Sequence, residues 1–212
     1  MKKTILTSIL VLFGLILFAQ TTESTSNGYS NFSEFQKNEP TLTFEFQLKQ
    51  RTTGDIFMTG GIANYRLKKI IPSSETDNVE KIIWGVRVGD STYINSYPIT
   101  RKKGYNLIIE KGYYSYFIGE PAFYEKEQRK LGIIKPEEKQ VPVCCQVGYV
   151  ILPDGVVKFL KPELLLELCK DDKEIASQIK WGDLKPEDVN RMFDFLKKYN
   201  LTKKFQTANT RL

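Results

Sequence analysis

Alternating apolar and polar residues predict that the first three-quarters of the chain forms strands. Residues 42–48 alternate strictly, with Leu or Phe at even positions and polar residues between them, which indicates a half-buried strand. Residues 80–88 alternate in the same way, and the Gly-Asp turn at 89–90 predicts a hairpin with residues 92–95. Together these patterns predict an antiparallel β region over 40–160. Further strands are predicted at 56–58, 62–67, 106–110 and 112–118.

A second hairpin signal lies near the end of this region. Residues 143–152 form the longest nearly uncharged apolar run after the N-terminus, and Pro153, Asp154 and Gly155 follow it. These three residues favour a tight turn, because Pro fixes φ, Asp bonds back to the backbone and Gly accepts a positive φ. Another apolar run follows at 156–160. Both runs are apolar on both faces, so we expect this hairpin inside the fold.

Helical periodicity replaces alternation after residue 160. Pro162 suits the first turn of a helix, and the leucines that follow predict an apolar helix ending near Lys170. A second short helix is predicted behind a cap at Asp171 or Asp172. A third, opening near 185, has an apolar face made of Val189, Met192, Phe193, Leu196 and Tyr199.

These elements predict an α+β fold. We expect an antiparallel β-sandwich or open barrel over 40–160, with helices over 161–200 packed on it, because the apolar helix faces need a partner surface. A short helix is also predicted over 122–131. Residues 20–39 are rich in Ser, Thr, Asn and Gln and predict a flexible leader that could become ordered near Phe32, and residues 201–212 predict a polar tail.

The N-terminus has the pattern of a secretory signal peptide over 1–19. Two lysines precede an apolar run at 5–18, and the small residue Ala19 follows. We expect cleavage after Ala19, which makes Gln20 the first residue. A membrane anchor is the alternative, but the run is short of the roughly 20 residues that a span needs. The mature protein is therefore expected to be secreted or periplasmic, without stable membrane insertion.

Charge argues against a nucleic-acid partner. The net charge is +6, and it falls to +4 when Lys2 and Lys3 leave with the signal peptide. The basic clusters are scattered along the chain with acidic residues between them, whereas nucleic-acid binders gather basic residues on one element and interleave aromatics. We expect no nucleic-acid partner and an unidentified protein or glycan partner instead.

The absence of histidine restricts the available chemistry. Because the sequence contains no histidine, Ser-His-Asp and Cys-His catalysis and imidazole-bound zinc are excluded. Carboxylate pairs remain, so a glycan hydrolase would need two acids in one cleft. Four acids are candidates, although Asp154 reads as a turn residue: Glu110, Glu120, Glu125 and Asp154. Nothing in the sequence brings them together, so we assign no catalytic residue, no cofactor and no metal ligand.

Three cysteines allow one disulfide. Cys144 and Cys145 are adjacent, so on a strand only one of them can face the helix that carries Cys169. A bridge from Cys169 to either one would close a loop of about 25 residues and stabilise the fold by roughly 3 kcal/mol. The alternative is that all three are small buried hydrophobic residues.

Tyrosines crowd the segment at 113–117. Alternation places Tyr113 and Phe117 on one face of a strand and Tyr114 and Tyr116 on the other. One face is expected to be core, and Tyr114 with Tyr116 could form an aromatic binding face for a sugar or peptide. Tyr is also a good strand residue in general, which is the simpler explanation.

Three segments together resemble a known group of proteins. They are IWGVRVGDSTYIN at 83–95, GYYSYFIG at 112–119, and GYVILPDG at 148–155 followed by 158–162. In this order behind a signal peptide, they resemble uncharacterised secreted proteins with a domain of unknown function that are typical of Bacteroidetes. The resemblance spans about residues 40–200 and implies an exported envelope protein. It implies no activity and no catalytic residues.

Three functions follow as hypotheses. Export, the lack of histidine and the lack of a catalytic motif favour a non-enzymatic protein that binds a partner or supports the cell envelope. A carboxylate-based hydrolase acting on glycans is the second hypothesis, and it requires a cleft holding two acids. A carrier of an apolar ligand inside the β region is the third, and it requires an empty apolar pocket.

Overall fold

The computed structural model describes residues 25–60, 62–71, 80–119 and 146–209. The predicted signal peptide at 1–19 and the predicted helix at 122–131 lie outside these residues. The described strands are β1 (Thr25–Tyr29), β2 (Leu42–Gln50), β3 (Tyr65–Ile71), β4 (Gly85–Val88), β5 (Ser91–Asn95), β6 (Tyr105–Glu110), β7 (Ser115–Gly119), β8 (Val147–Ile151) and β9 (Val157–Phe159). The helices are α1 (Phe32–Lys37), α2 (Thr53–Thr59), α3 (Tyr97–Thr100), α4 (Pro162–Leu168), α5 (Lys173–Trp181) and α6 (Val189–Asn209).

The strands form one antiparallel sheet that curls back on itself. Their order is β3-β2-β1-β4-β5-β6-β7-β8-β9, and β3 also pairs with β6 through Tyr65 and Tyr105. Six strands therefore close into a small barrel, and β7, β8 and β9 continue from the far half of β6. The predicted α+β class, with an antiparallel β region and C-terminal helices packed on it, is confirmed.

Large side chains fill the interior of the barrel. The cluster draws on five of its six strands, and β1 contributes Gly28, where a Cβ would lie 2.7 Å from the Phe44 ring. Even-numbered positions of β2 point inward, as the strict alternation at 42–48 predicted. The interior residues are Phe46, Ile83, Val86 and Tyr105, with Leu42, Phe44, Leu48, Tyr65, Leu67, Val88 and Tyr93 packed around them.

A second core lies between the barrel and strands β7 to β9. Tyr29, Ile94 and Ile108 point outward from the barrel and meet Phe117, Tyr149 and Ile151. The Phe117 and Tyr149 rings stack at 5.1 Å. Helix α1 covers part of the same face through Phe35, so this core joins the N-terminal segment to the central hairpin.

The C-terminal helices cover the opposite face of β7 and β8. Val150 points toward them from β8, and Gly148 leaves room for Phe193, whose ring would lie 3.1 Å from an added Cβ. Strand β8 is consequently buried on both faces, as its continuous apolar sequence predicted. The helices contribute Leu165, Cys169, Ile175, Ile179, Val189, Met192, Phe193, Leu196 and Tyr199 to this layer.

The predicted hairpins are confirmed. β4 and β5 pair across the turn at 89–90, β6 pairs with β7, and β8 pairs with β9. In the last turn, Asp154 Oδ1 accepts a hydrogen bond from the Val156 backbone at 3.0 Å, and Gly155 has φ 86°. Strand β9 differs from the expectation of two interior strands, because it forms the edge of the sheet and exposes Lys158.

The flexible leader predicted over 20–39 is wrong for residues 25–29, which form β1, whereas the order expected near Phe32 agrees with α1 at Phe32–Lys37. Strand β1 lies between β2 and β4 and pairs with both, and Tyr29 is fully buried. Polar composition misled the prediction, since a strand inside a sheet is held by backbone hydrogen bonds whatever its side chains. Residues 20–24 lie outside the described residues.

The strand predicted at 56–58 is wrong, because these residues belong to α2. Thr52 caps this helix by accepting from Asp55 N, and Asp55 accepts in return from Thr52 N. The buried Arg51 guanidinium donates to the carbonyls of Asp55, Gly60 and Ala63, which fixes the end of the helix.

The third C-terminal helix is longer than predicted. It begins at Val189 and runs to Asn209, so residues 201–209 continue α6 instead of forming a polar tail. The two earlier helices agree with the prediction: α4 starts at Pro162, and Asp172 caps α5 by accepting from Ile175 N at 3.0 Å.

Candidate functional site

The candidate site lies on the outer face of the barrel, beside the end of α1. Arg87 on β4 is directly opposite Thr92 on β5, and Ile108 on β6 extends the same face. Arg87 occupies a polar position between Val86 and Val88, which point into the barrel. Alternation along β4 therefore directs the guanidinium away from the interior and toward α1.

Helix α1 forms the wall of the site. Asn31 caps its start by accepting from Glu34 N at 3.0 Å, and Asn38 ends it with φ 60°. The Asn38 amide oxygen accepts a hydrogen bond from the Tyr29 hydroxyl at 3.0 Å. Phe35 anchors the helix, because its buried ring stacks on Trp84 at 4.5 Å. The helix is thus held against the sheet at Phe35 and at its C-cap residue Asn38.

Lys111 lies at the junction between the helix and the sheet. Its Nζ donates to the Phe35 carbonyl near the end of α1 and lies 4.7 Å from the centre of the Phe35 ring. Partial burial lowers the pKa of the Lys111 ammonium. A cation at the C-terminal end of a helix complements the unpaired carbonyls there, so Lys111 supports α1 as well as lining the site.

These residues enclose a cleft of about 470 Å³. We call it the basic cleft; it is lined by Phe35, Asn38, Arg87, Gly89, Asp90, Thr92, Ile108, Ile109 and Lys111. In the part of the chain that the structure describes, neither Arg87 nor Lys111 forms an ion pair with a carboxylate, although Asp90 lies at the same cleft. Its volume is within the range of small-molecule pockets.

The basic cleft presents mainly hydrogen-bond donors. The Arg87 guanidinium and the Lys111 ammonium only donate, whereas the Thr92 hydroxyl and the Asn38 amide can donate or accept. Among the lining residues that the structure describes, Asp90 is the single carboxylate. This arrangement can hold a molecule rich in acceptor oxygens, but it offers no pair of acids for hydrolysis.

Most of the chain matches the model of a protein family. Residues 27–203 match the family described as Family of unknown function (DUF6563). The chain belongs to this family. The DUF6563 match begins inside β1 and ends inside α6, so it includes the barrel, the central hairpin and the packed helices. No curated protein and no solved structure matches the chain significantly.

Family membership places the whole basic cleft inside the matched region, because all its lining residues fall between 27 and 203. The family description gives the DUF6563 domain no activity, so the geometry of the basic cleft is the evidence for its function. Among the described residues, no helix is long and apolar enough to span a bilayer, and no three His, Cys, Asp or Glu side chains converge as metal ligands.

The structure places Tyr114 and Tyr116 in the core beneath the C-terminal helices. Tyr116 stacks on Phe193 at 4.3 Å, and Tyr114 stacks on Tyr199 at 5.5 Å. Tyr116 is 3% exposed and Tyr114 is 8% exposed, so neither ring presents a binding face at the surface of the described structure. Tyr113 is the exposed ring of this segment. Burial raises the pKa of Tyr114 to about 12.

Cys169 is fully buried among the C-terminal helices, and burial raises the pKa of its thiol to about 12. Cys144 and Cys145 lie outside the described residues, so the disulfide stays a prediction. The location of Cys169 fits both alternatives, since a bridged cysteine and a small buried hydrophobic residue can each occupy a core position.

The candidate hydrolase carboxylates that the structure describes have structural partners. Glu110 accepts from the Tyr116 hydroxyl at 2.8 Å, and Asp154 caps the turn between β8 and β9. Neither lines the basic cleft. Glu120 and Glu125 lie outside the described residues.

Sequence reasoning missed Arg87, Lys111 and α1 as parts of one site. Arg87 was only a polar position in an alternating strand, and the sequence assigned Lys111 no role. The one available signal was Phe32 and Phe35 within a polar segment, at the spacing of one helical face. What brings the residues together is the position of β1 between β2 and β4, which the sequence does not display.

Proposed function

We propose that the protein is exported and binds a small molecule in the basic cleft without chemically changing it. The observation that carries this proposal is a cleft of about 470 Å³ with two cationic side chains and a single carboxylate. A fixed helix and a closed barrel form its walls, so the site is largely formed before a ligand arrives, as in most small-molecule pockets.

Export is supported by the N-terminal pattern of two lysines, an apolar run and Ala19. The resemblance to secreted proteins typical of Bacteroidetes points in the same direction. We therefore place the protein in the periplasm or outside the cell, where it would act as a binding protein associated with the envelope.

A non-enzymatic role is supported by the residues at the cleft. Within the described part of the cleft Asp90 has no second acid beside it, and the sequence contains no histidine, which is the usual general base. The filled barrel interior gives no support to the carrier hypothesis. An aqueous cleft on the outside of the barrel fits a polar ligand better.

Fractionation of cells that express the full-length chain tests export. The expected result is a periplasmic or extracellular protein whose intact mass corresponds to a first residue Gln20. A chain with Leu10→Arg and Leu12→Arg, which interrupts the apolar run, should stay in the cytoplasm at full length. Full-length protein in the cytoplasm of cells that carry the unaltered chain would refute export.

Incubation with a glycoside and ester substrate panel tests the non-enzymatic role. We expect no turnover above that of the Asp90→Asn variant, because Asp90 is the only acid among the described residues of the cleft. Turnover by the unaltered protein that Asp90→Asn abolishes would replace the binding proposal with a hydrolase.

A further inference from the structure

We propose that the basic cleft recognises an organic anion that carries one carboxylate or phosphate group beside an apolar or sugar-like body. This inference rests on the proposed function and names its ligand class. Carboxylate and phosphate share the feature that matters here, a group of acceptor oxygens with negative charge, and the experiment below separates them.

The Arg87 guanidinium is placed to bind the anionic group of the ligand. It is half-buried on the sheet and, among the described residues, has no carboxylate partner. Removing a cation from water is unfavourable unless it is paired, so a half-buried, unpaired guanidinium at a cleft favours an incoming anion. The planar guanidinium can donate two parallel hydrogen bonds to a carboxylate or a phosphate.

The Lys111 ammonium provides a second positive charge for the same anionic group. It has three donors, and the Phe35 carbonyl accepts from it. Further donors remain to bond a ligand oxygen without breaking the contact that supports α1. A neutral carbonyl does not neutralise the ammonium, whereas an anion in the cleft would.

The balance of charge favours a ligand with a low negative charge, either a carboxylate with one charge or a phosphate monoester with up to about two. Among the lining residues that the structure describes, Arg87 and Lys111 contribute two positive side chains and Asp90 one negative side chain, which leaves a surplus of one positive charge. A polyanion would bring additional charge close to Asp90, which costs free energy.

The remaining lining residues indicate the chemistry of the uncharged part of the ligand. The exposed Ile109 supplies most of the apolar surface, with the largely buried Phe35 and Ile108 behind it, and Thr92 and Asn38 supply polar atoms. A uronic acid or a sugar phosphate combines these features, since such a molecule has an anionic group, C–H surface and hydroxyl groups. A bare inorganic ion would leave the apolar part of the cleft unused.

Isothermal titration of the mature chain with four probes tests the inference: glucuronate, glucose 6-phosphate, glucose and inorganic phosphate. We expect glucuronate or glucose 6-phosphate to bind, glucose to bind at least 10-fold more weakly, and affinity to fall as salt increases. Preference between the two anionic sugars decides between carboxylate and phosphate.

Arg87→Gln and Arg66→Gln form a matched pair for this titration. Arg66 is exposed on β3 and does not line the cleft, so its substitution removes the same charge elsewhere. We expect Arg87→Gln to weaken binding about 10- to 100-fold, as loss of a charged hydrogen bond does, and Arg66→Gln to change it less than about twofold. Arg87→Lys, which keeps the charge, should retain part of the affinity and guards against a folding defect.

Two results would overturn the inference. Glucose binding as tightly as glucuronate, with no effect of Arg87→Gln, would leave a binding protein whose ligand is neutral. Equal loss in both variants, or no heat with any probe, would remove the basic cleft as an anion site. Neither result bears on export, which fractionation tests separately.

Discussion

The side-chain amide of Asn200 pairs with the backbone of Tyr114. The Tyr114 N–H donates to Asn200 Oδ1, and Asn200 Nδ2 donates to the Tyr114 carbonyl, each at 2.9 Å. An amide side chain thereby acts as a strand partner for the residue that precedes β7. Gly112 leaves the space for it, because an added Cβ would overlap the Asn200 side chain. This contact fixes α6 to the sheet at a defined position.

Asn200→Ala should destabilise the fold substantially. The substitution leaves a buried N–H and a buried carbonyl of Tyr114 without partners, which costs about 2–4 kcal/mol in the free energy of unfolding. Asn190→Ala, at an exposed position on the same helix, should change it by less than about 0.5 kcal/mol. Urea denaturation of both variants measures the difference. Equal midpoints would show that the Asn200 pair contributes nothing to docking of α6.

Closure of the barrel depends on Gly104, directly before the residue that pairs β6 with β3. Gly104 has φ +143°, and an added Cβ would lie 2.8 Å from the Tyr65 carbonyl oxygen and overlap Ala63. We expect Gly104→Ala to cost about 2–4 kcal/mol, from backbone strain and steric overlap together. Gly89→Ala is the matched control, since Gly89 has φ +57° with open space around it and should cost only about 1 kcal/mol. Thermal unfolding of the pair tests this difference, and similar losses would contradict it.

The protein should lose stability in alkaline solution. Burial raises the pKa of Tyr114 to about 12, and burial also raises the pKa values of Tyr116 and Tyr199 above the ordinary value of 10.0. These groups lose protons more easily in the unfolded chain, so their stabilising effect is complete below about pH 10 and declines as pH rises above it.

Denaturation midpoints between pH 8 and pH 11.5 measure this decline. Tyr199→Phe should reduce the slope above pH 10, because it removes one of the buried hydroxyls whose pKa the fold raises. A midpoint that stays constant across this range would show that the tyrosines beneath the helices ionise without opposition from the fold.

Cys169 should be protected from alkylation in the folded protein. It is fully buried, and burial raises the pKa of its thiol to about 12, so little reactive thiolate exists near pH 8. If the predicted disulfide forms after export, unfolding without reductant should expose one reactive thiol, and peptide mapping should link Cys169 to Cys144 or Cys145. Three thiols labelled in the unfolded, unreduced protein would reject the disulfide.

The sequence predicted elements whose signal is local. Alternation at 42–48, the turn at 153–155 and the helix start at Pro162 each report a backbone preference of a few neighbouring residues. The strand predicted over 80–88 is correct only for 85–88, because residues 80–82 are helical. These features were sufficient for the α+β class. They failed at β1, where partners on two distant strands override a polar composition.

The candidate site was not predictable in the same way. Arg87, Lys111 and Phe35 come from three separate segments, and their convergence depends on the order of strands in the sheet. A single sequence reports which residues are polar, but it does not report which polar residues share a face across β1, β4, β5 and β6. Tyr114 and Tyr116 show the opposite case. The sequence allowed these two residues to form an aromatic binding face, but side chains of α6 cover both rings in the structure.

An NMR titration of the exported chain with glucuronate and glucose 6-phosphate locates the anion site on the molecule. If the basic cleft binds the anionic sugar, backbone amides at the cleft, above all those of Asn38, Gly89 and Thr92, show saturable shifts that Arg87→Gln abolishes. Saturable shifts confined to another surface, or shifts at the cleft that Arg87→Gln leaves unchanged, would show that the basic cleft is not the anion site.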